Sequence, residues 1–96
     1  MKPGYIIADV NVTNEQQILE YRKWSTIAMR AHDAEIVVRG GPIEVLEGPW
    51  HPTRLVILKF PSMDKARAFY HSHQYRRARN AREHAAIMRM VLVEGL

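Results

Sequence analysis

Ninety-six residues, 47% of them apolar and 25% charged, match one folded domain and leave no length for a second, so a single domain over 1–96 is expected. The absence of cysteine excludes disulfides, thiolate metal sites and cysteine nucleophiles and makes the cytoplasm the expected compartment; no apolar run reaches the ~20 residues of a membrane span, and Met1-Lys2-Pro3-Gly4 does not open a signal peptide. The formal charge of +4 arises wholly within residues 71–89, where five arginines meet one glutamate, and the rest of the chain is neutral.

Tyr5 to Val12 reads as a strand, an apolar run with Asp9 and Asn11 alternating at its polar end. Thr13-Asn14-Glu15-Gln16 fits a capping box, with Asn14 and Gln17 as the alternative pair, and opens a helix from about residue 14 to about residue 31. At ~100° per residue, Ile18, Tyr21, Ser25, Ala28 and His32 share one stripe, flanked by Trp24 and Met29, while Glu20, Lys23 and Arg30 face water. Glu35 to Arg39 is a second strand. Gly40-Gly41-Pro42 interrupts it with a bulge or sharp bend, and Ile43 to Glu47 resumes an extended pattern before the turn at Gly48-Pro49-Trp50-His51-Pro52. Arg54 to Phe60 is the third strand. Ser62 caps a helix that turns Ala66, Phe69 and Tyr70 inward. A further short helix runs from near Ser72 to about Glu83 with Tyr75, Ala78 and Ala81 or Arg82 inward, and Ala86 or Ile87 to Glu94 closes the chain as the last strand.

Half of the chain echoes the other half. A shift of 48 positions lays Val10 on Leu58, Val12 on Phe60, Asn14 on Ser62, Ile18 on Ala66 and Tyr21 on Phe69, so strand, cap and helix core recur in register. Two such halves joined by a hairpin make β-α-β-β-α-β, an α+β ferredoxin-like fold with an antiparallel sheet. In that fold the helices cover one sheet face. Ile6, Ala8, Val10 and Val12 belong to it, with Ile36, Val38, Val56, Leu58 and Phe60. The other face carries Tyr5, Ile7, Asp9 and Asn11, then Glu35, Val37 and Arg39, then Leu55, Ile57 and Lys59. So many aliphatic groups are not spent on water, and a second copy of the chain is the expected cover, with Asp9, Lys59 and Arg39 paired at the seam.

The segments YIIADVNVTN, EYRKW, VVRGGPIEVLEGPW, RLVILKFPSMDKARAFYHSHQY and MVLVEG resemble the domain of unknown function 1330 family over nearly the whole chain. The resemblance implies a dimeric α/β-barrel, two ferredoxin-like subunits packed sheet to sheet. That superfamily includes cofactor-free monooxygenases, haem-degrading enzymes and ligand-sensing domains, so it selects no reaction. The family pattern falls on Arg39, Gly40, Gly41, Glu47, Gly48, Tyr70, Ser72, Tyr75 and Arg82. Asp33-Ala34 replaces the family's glycine pair before the second strand, and His73 and Asn80 stand where proline is common.

No phosphate loop, dinucleotide fingerprint, G-x-S-x-G or HExxH is present. His71-Ser72-His73 has the i, i+2 spacing that shares a face only on a strand, and it lies at a helix end, so no metal site and no cofactor are expected. His32, Tyr21 and Trp24 lie on or beside an apolar stripe, where a structural role is the default, and Trp50 and His51 suit an interface contact. Alanines at 78, 81 and 85 cannot fill space against a sheet, which leaves either close packing or a cavity. Arg82, Tyr75, Tyr70, Trp24, His32 and Arg39 are the candidate residues around such a cavity, which suits a small anionic or aromatic molecule. The leading expectation is a homodimer that binds this ligand. A cofactor-independent oxygenase-type or isomerase-type enzyme is the second reading. Nucleic-acid binding through the basic 71–89 segment is the third, disfavoured because no base-stacking motif accompanies the charge.

Overall fold

The chain forms β1 (Gly4–Val12), α1 (Ile18–Ala31), β2 (Glu35–Arg39), β3 (Leu55–Phe60), α2 (Met63–Tyr70), α3 (His73–Ala81) and β4 (Ala86–Glu94). This computed structural model describes all residues from 1 to 96. The strands make one antiparallel sheet in the order β2-β3-β1-β4, which is the ferredoxin-like topology that the repeat implies. Ile6, Ala8 and Val10 alternate into the helical layer and are buried there, as are Leu58 and Phe60 from β3 and Ala66, Phe69, Tyr75 and Ala78 from α2 and α3. With extents of 34 × 32 × 16 Å the molecule is a slab, too thin for a second layer on the far side of the sheet. No side chain of that far face is fully buried.

The helix ends are set by short polar side chains. Asn14 Oδ1 accepts from the amides of Gln16 (3.1 Å) and Gln17 (3.0 Å), so residues 15–17 make a turn and α1 starts at Ile18, later than the capping-box reading places it. Thr13 is held elsewhere: its amide and that of Asn14 bond to the Ala85 carbonyl, at 2.8 and 3.0 Å. Ser62 Oγ accepts from the Lys65 amide at 3.1 Å and starts α2. Ser72 Oγ donates to the Phe69 carbonyl (2.7 Å) and accepts from the Tyr75 amide (3.1 Å), so one hydroxyl ends α2 and begins α3. α3 stops at Ala81 rather than near Glu83, because the chain turns through Arg82 to a positive φ of 66° at His84. Asp33, in place of the family's glycine, likewise takes a left-handed φ of 57° before β2.

Three expectations change between β2 and β3. Residues 41–54 contain no strand, so the extended reading of Ile43 to Glu47 fails. Pro42, Pro49 and Pro52 cannot donate to a ladder, and Gly40 (φ +67°) and Gly48 (φ +83°) turn the chain out of the sheet as an exposed arm. One hydrogen bond ties residues 41–53 to the body: Trp50 Nε1 donates to Asp9 Oδ2 at 3.1 Å.

The bulge lies earlier than the glycines. Ile36 pairs with Leu58, but Val38 pairs with Ile57 and Arg39 with Val56, so Val37 is the extra residue. An inserted residue inverts the face of everything that follows it. Val38 therefore moves to the far face opposite Ile57, and Arg39, expected there, turns to the helical face beside Val56. With Arg39 on the helical face, the expected Asp9–Lys59–Arg39 network does not form within the chain. Asp9 pairs instead with Arg89 Nη2 of β4 at 3.1 Å, while Lys59 stands opposite Tyr5 and Glu35.

Candidate functional site

A cleft lies between α1 and the sheet. Its floor is Ala8, Val10 and Val56 of the central strands, where the small Ala8 leaves depth, and its roof is Tyr21, Ser25 and Met29 of α1. Met88 and Met90 of β4 form one wall and Tyr75 of α3 closes the inner end. The enclosed volume is about 80 Å³. That is below the ~150 Å³ of an engineered cavity that binds benzene, so the cleft takes in part of a ring-sized body, leaves the rest at its open outer end, and has no room for a large cofactor. Three methionines make its lining soft and adaptable.

Two phenols meet at the inner end. Tyr21 Oη and Tyr75 Oη are 2.8 Å apart, and Tyr75 Oη donates to Met90 Sδ at 3.8 Å, which leaves Tyr21 to donate to Tyr75. Burial raises the pKa of both phenols. Arg82 nearby pulls each the other way, and burial prevails. Both hydroxyls are therefore protonated at neutral pH, able to donate hydrogen bonds and unable to remove a proton. Tyr75 is held rigidly, with the Phe69 ring 4.6 Å and the Tyr70 ring 5.6 Å away.

Arginines form the outer end. Arg22 of α1, Arg39 at the end of β2 and Arg54 before β3 all line the cleft, with no aspartate, glutamate, histidine, lysine or cysteine among the lining residues. The ion pairs of the molecule join Arg67 to Asp64, His84 to Glu83 and Arg89 to Asp9, so none of these three guanidiniums has a carboxylate partner. The Arg-Gly-Gly sequence helps to build this mouth. A Cβ at Gly40 would come within 2.6 Å of Arg54 Cζ, so the bare glycine leaves room for the Arg54 guanidinium to lie against its backbone.

Of the six candidate residues, Tyr75 and Arg39 line the cleft. Arg82 is half-buried behind it, with Nη1 against Met88 Sδ and its guanidinium 5.7 Å from the Tyr21 ring centroid. Tyr70 faces a separate hollow of about 310 Å³ with His71 and Val91, whose arginine, Arg67, is already paired with Asp64. Trp24 lies between Lys23 and Arg77 on the helical surface, and its Nε1 donates to Glu20 at 3.3 Å. His32 caps the end of α1 edge-on to Phe69, with Nε2 unpartnered. The cavity sits under α1 and not under the alanine-rich α3, because α3 packs on α1 rather than on the sheet, with Ala78 fully buried. Sequence reasoning missed Arg22, Arg54 and the three methionines, and took Tyr21 as core. The spacing of Ile18, Arg22, Ser25 and Met29 was the available signal, a second stripe one step round the same helix. Arg77 and Arg79 lie over Trp24 and Tyr70, so part of the basic segment is engaged with the chain's own aromatics. No group of three histidine, cysteine or acidic side chains is placed to hold a metal ion.

Comparison with known proteins gives a family match over residues 3–96. The chain belongs to the DUF1330 family, a domain of unknown function. No curated protein matches it. A protein of unknown function from Rhodopseudomonas palustris superposes with a TM-score of 0.78 at 19% identity, covering 99% of this chain and 83% of that one. A candidate antibiotic biosynthesis monooxygenase from Nitrosomonas europaea superposes with a TM-score of 0.57 at 13% identity over 98% of this chain and 90% of that one. A conserved protein of unknown function from Bacteroides thetaiotaomicron, suggested as an oxidoreductase, gives 0.53 at 10% identity, over 97% and 95%. At these identities the likeness establishes a shared ferredoxin-like fold for the DUF1330 chain. No helix is long and apolar enough to cross a membrane.

Proposed function

We propose that this DUF1330 domain is a homodimeric small-molecule-binding protein whose ligand lies in the cleft between α1 and the sheet. The observation that carries the reading is the cleft itself: an apolar, methionine-lined hollow over Ala8, bounded by protonated phenols at one end and open among unpaired arginines at the other. The absence of cysteine supports a cytoplasmic setting. The dimer is supported by the far face, where Ile7, Leu55 and Ile57 are half-buried and Ile87, Val91 and Val93 are exposed. A face 34 by 32 Å across has room for the ~800 Å² per partner that a standard interface buries. Sedimentation should give twice the 11.2 kDa chain mass, and Ile57→Asp should give the monomer; a well-folded monomer of the unmodified chain at micromolar concentration overturns the dimer.

An oxygenase-type or isomerase-type enzyme is the second reading, supported by the phenol pair that faces the cleft and can donate to an oxyanion. Binding leads because the cleft has no carboxylate, imidazole or amine to take a proton. The test is carbon-13 methyl NMR of methionine during titration with benzyl alcohol and 1-hexanol. The methyls of Met29, Met88 and Met90 should shift while those of Met1 and Met63, outside the cleft, stay still. Unmoved cleft methyls with both probes refute the ligand cleft.

A further inference from the structure

We infer that the ligand is a monocarboxylic acid with a short apolar body, its carboxylate held at the cleft mouth by Arg39 and Arg54 with Arg22 above them. This rests on the cleft being a ligand site and adds the charge and orientation of what it takes.

Three observations converge. Arg39 reaches the mouth because the β2–β3 ladder skips Val37 and so sets Arg39 on the helical face opposite Val56. Arg54 lies two residues before Val56, so the strand's alternation gives it the same face. Its backbone is fixed by the bond from the Val10 amide to its carbonyl at 2.8 Å, and its guanidinium lies against the bare Gly40, the residue that follows Arg39. Arg22 comes from α1, across the cleft from both.

Three guanidiniums at one opening repel one another, and the protein supplies no anion to offset that. Each offers a planar fork of donors that fits a carboxylate's two oxygens. Behind the mouth, the apolar walls and the three thioethers reject a second charged or strongly hydrated group. The hydroxyl pair at the closed end offers at most one hydrogen bond to the tail. A molecule anionic at one end and apolar at the other matches both ends, whereas an inorganic anion would leave the hollow unfilled.

The same methionine-methyl titration decides the matter when benzoate and hexanoate are run beside benzyl alcohol and 1-hexanol at low ionic strength. Each carboxylate should bind about tenfold or more tighter than its alcohol, since a single charge-assisted bond is worth that much. Arg39→Gln and Arg54→Gln, each checked for an unchanged melting temperature, should remove most of that preference. Arg76→Gln, an exposed arginine on α3 outside the cleft, should leave it intact. Equal affinity for acid and alcohol, or a preference lost equally in Arg76→Gln, overturns the carboxylate while the cleft remains a binding site. Unmoved methyls with all four probes overturn the cleft and the carboxylate together.

Discussion

Replacing Tyr75 by phenylalanine isolates the hydroxyl pair at the inner end of the cleft. Tyr75 is 1% exposed, and phenylalanine keeps its ring against Phe69, Tyr70 and Tyr21 at 4.6, 5.6 and 6.2 Å. What goes is the 2.8 Å bond to Tyr21 Oη and the 3.8 Å bond to Met90 Sδ. A neutral hydrogen bond contributes about 1 kcal/mol net, and the sulfur bond adds little. Tyr21 is half-buried and faces the cleft, so water can reach its stranded hydroxyl and the full penalty of an unsatisfied group is avoided. The expected loss in urea melts is about 1–1.5 kcal/mol, against about 3–5 kcal/mol for Tyr75→Ala, which empties the aromatic cluster. The pH dependence gives an independent reading. Both phenols hold their protons more tightly in the folded chain than in the unfolded one, so their contribution is complete below about pH 10 and is lost as the pH rises above it. Stability should fall less steeply above pH 10 in Tyr75→Phe than in the parent chain. A neutral Tyr75→Phe with an unchanged alkaline slope would show that the two hydroxyls contribute nothing to the fold.

Trp50→Phe should free the 41–53 arm, whose single hydrogen bond to the body it removes, and raise its proteolytic cleavage about tenfold with little change in overall melting; unchanged cleavage would mean that something else holds the arm. Asp33→Gly should raise stability by about 0.5–1 kcal/mol in denaturant melts, because Asp33 holds a φ of 57° that glycine adopts without strain; a destabilised variant would show that the aspartate side chain matters more than its backbone.

The parts of the fold that were legible in the sequence are those where a local rule and the burial pattern agree. β1 and β4 alternate cleanly, Ser62 and Ser72 both cap as their positions imply, and the 48-residue repeat carries the strand order. The arm was not legible because Ile43 to Glu47 alternates as a strand does, and nothing local reveals that the prolines and glycines around it leave no partner to pair with. At the site, Tyr75 could be placed from its helix period, but Tyr21 could not: an aromatic on the inner stripe gives the same pattern whether it fills a core or roofs a hollow. Asp9 was matched with the wrong strand because its charge was legible and the side from which β4 would approach was not.

The bulge at Val37 makes the chemistry of the cleft depend on how β2 is paired as well as on the residues it holds. From Glu35–Lys59 to Arg39–Val56, five residues of β2 oppose four of β3, and leaving Val37 unpaired is what keeps Arg39 on the helical face. Deleting Val37 would leave Ile36, Val38 and Arg39 opposite Leu58, Ile57 and Val56, so the mouth would keep its cation and the strand would lose only its kink. Drawing Val37 into the ladder would instead set Val38 opposite Val56 and Arg39 opposite Leu55. The mouth would then lose a cation and the far face would gain one with no letter of the sequence changed, so a one-residue slip in pairing would act on binding and on assembly at once.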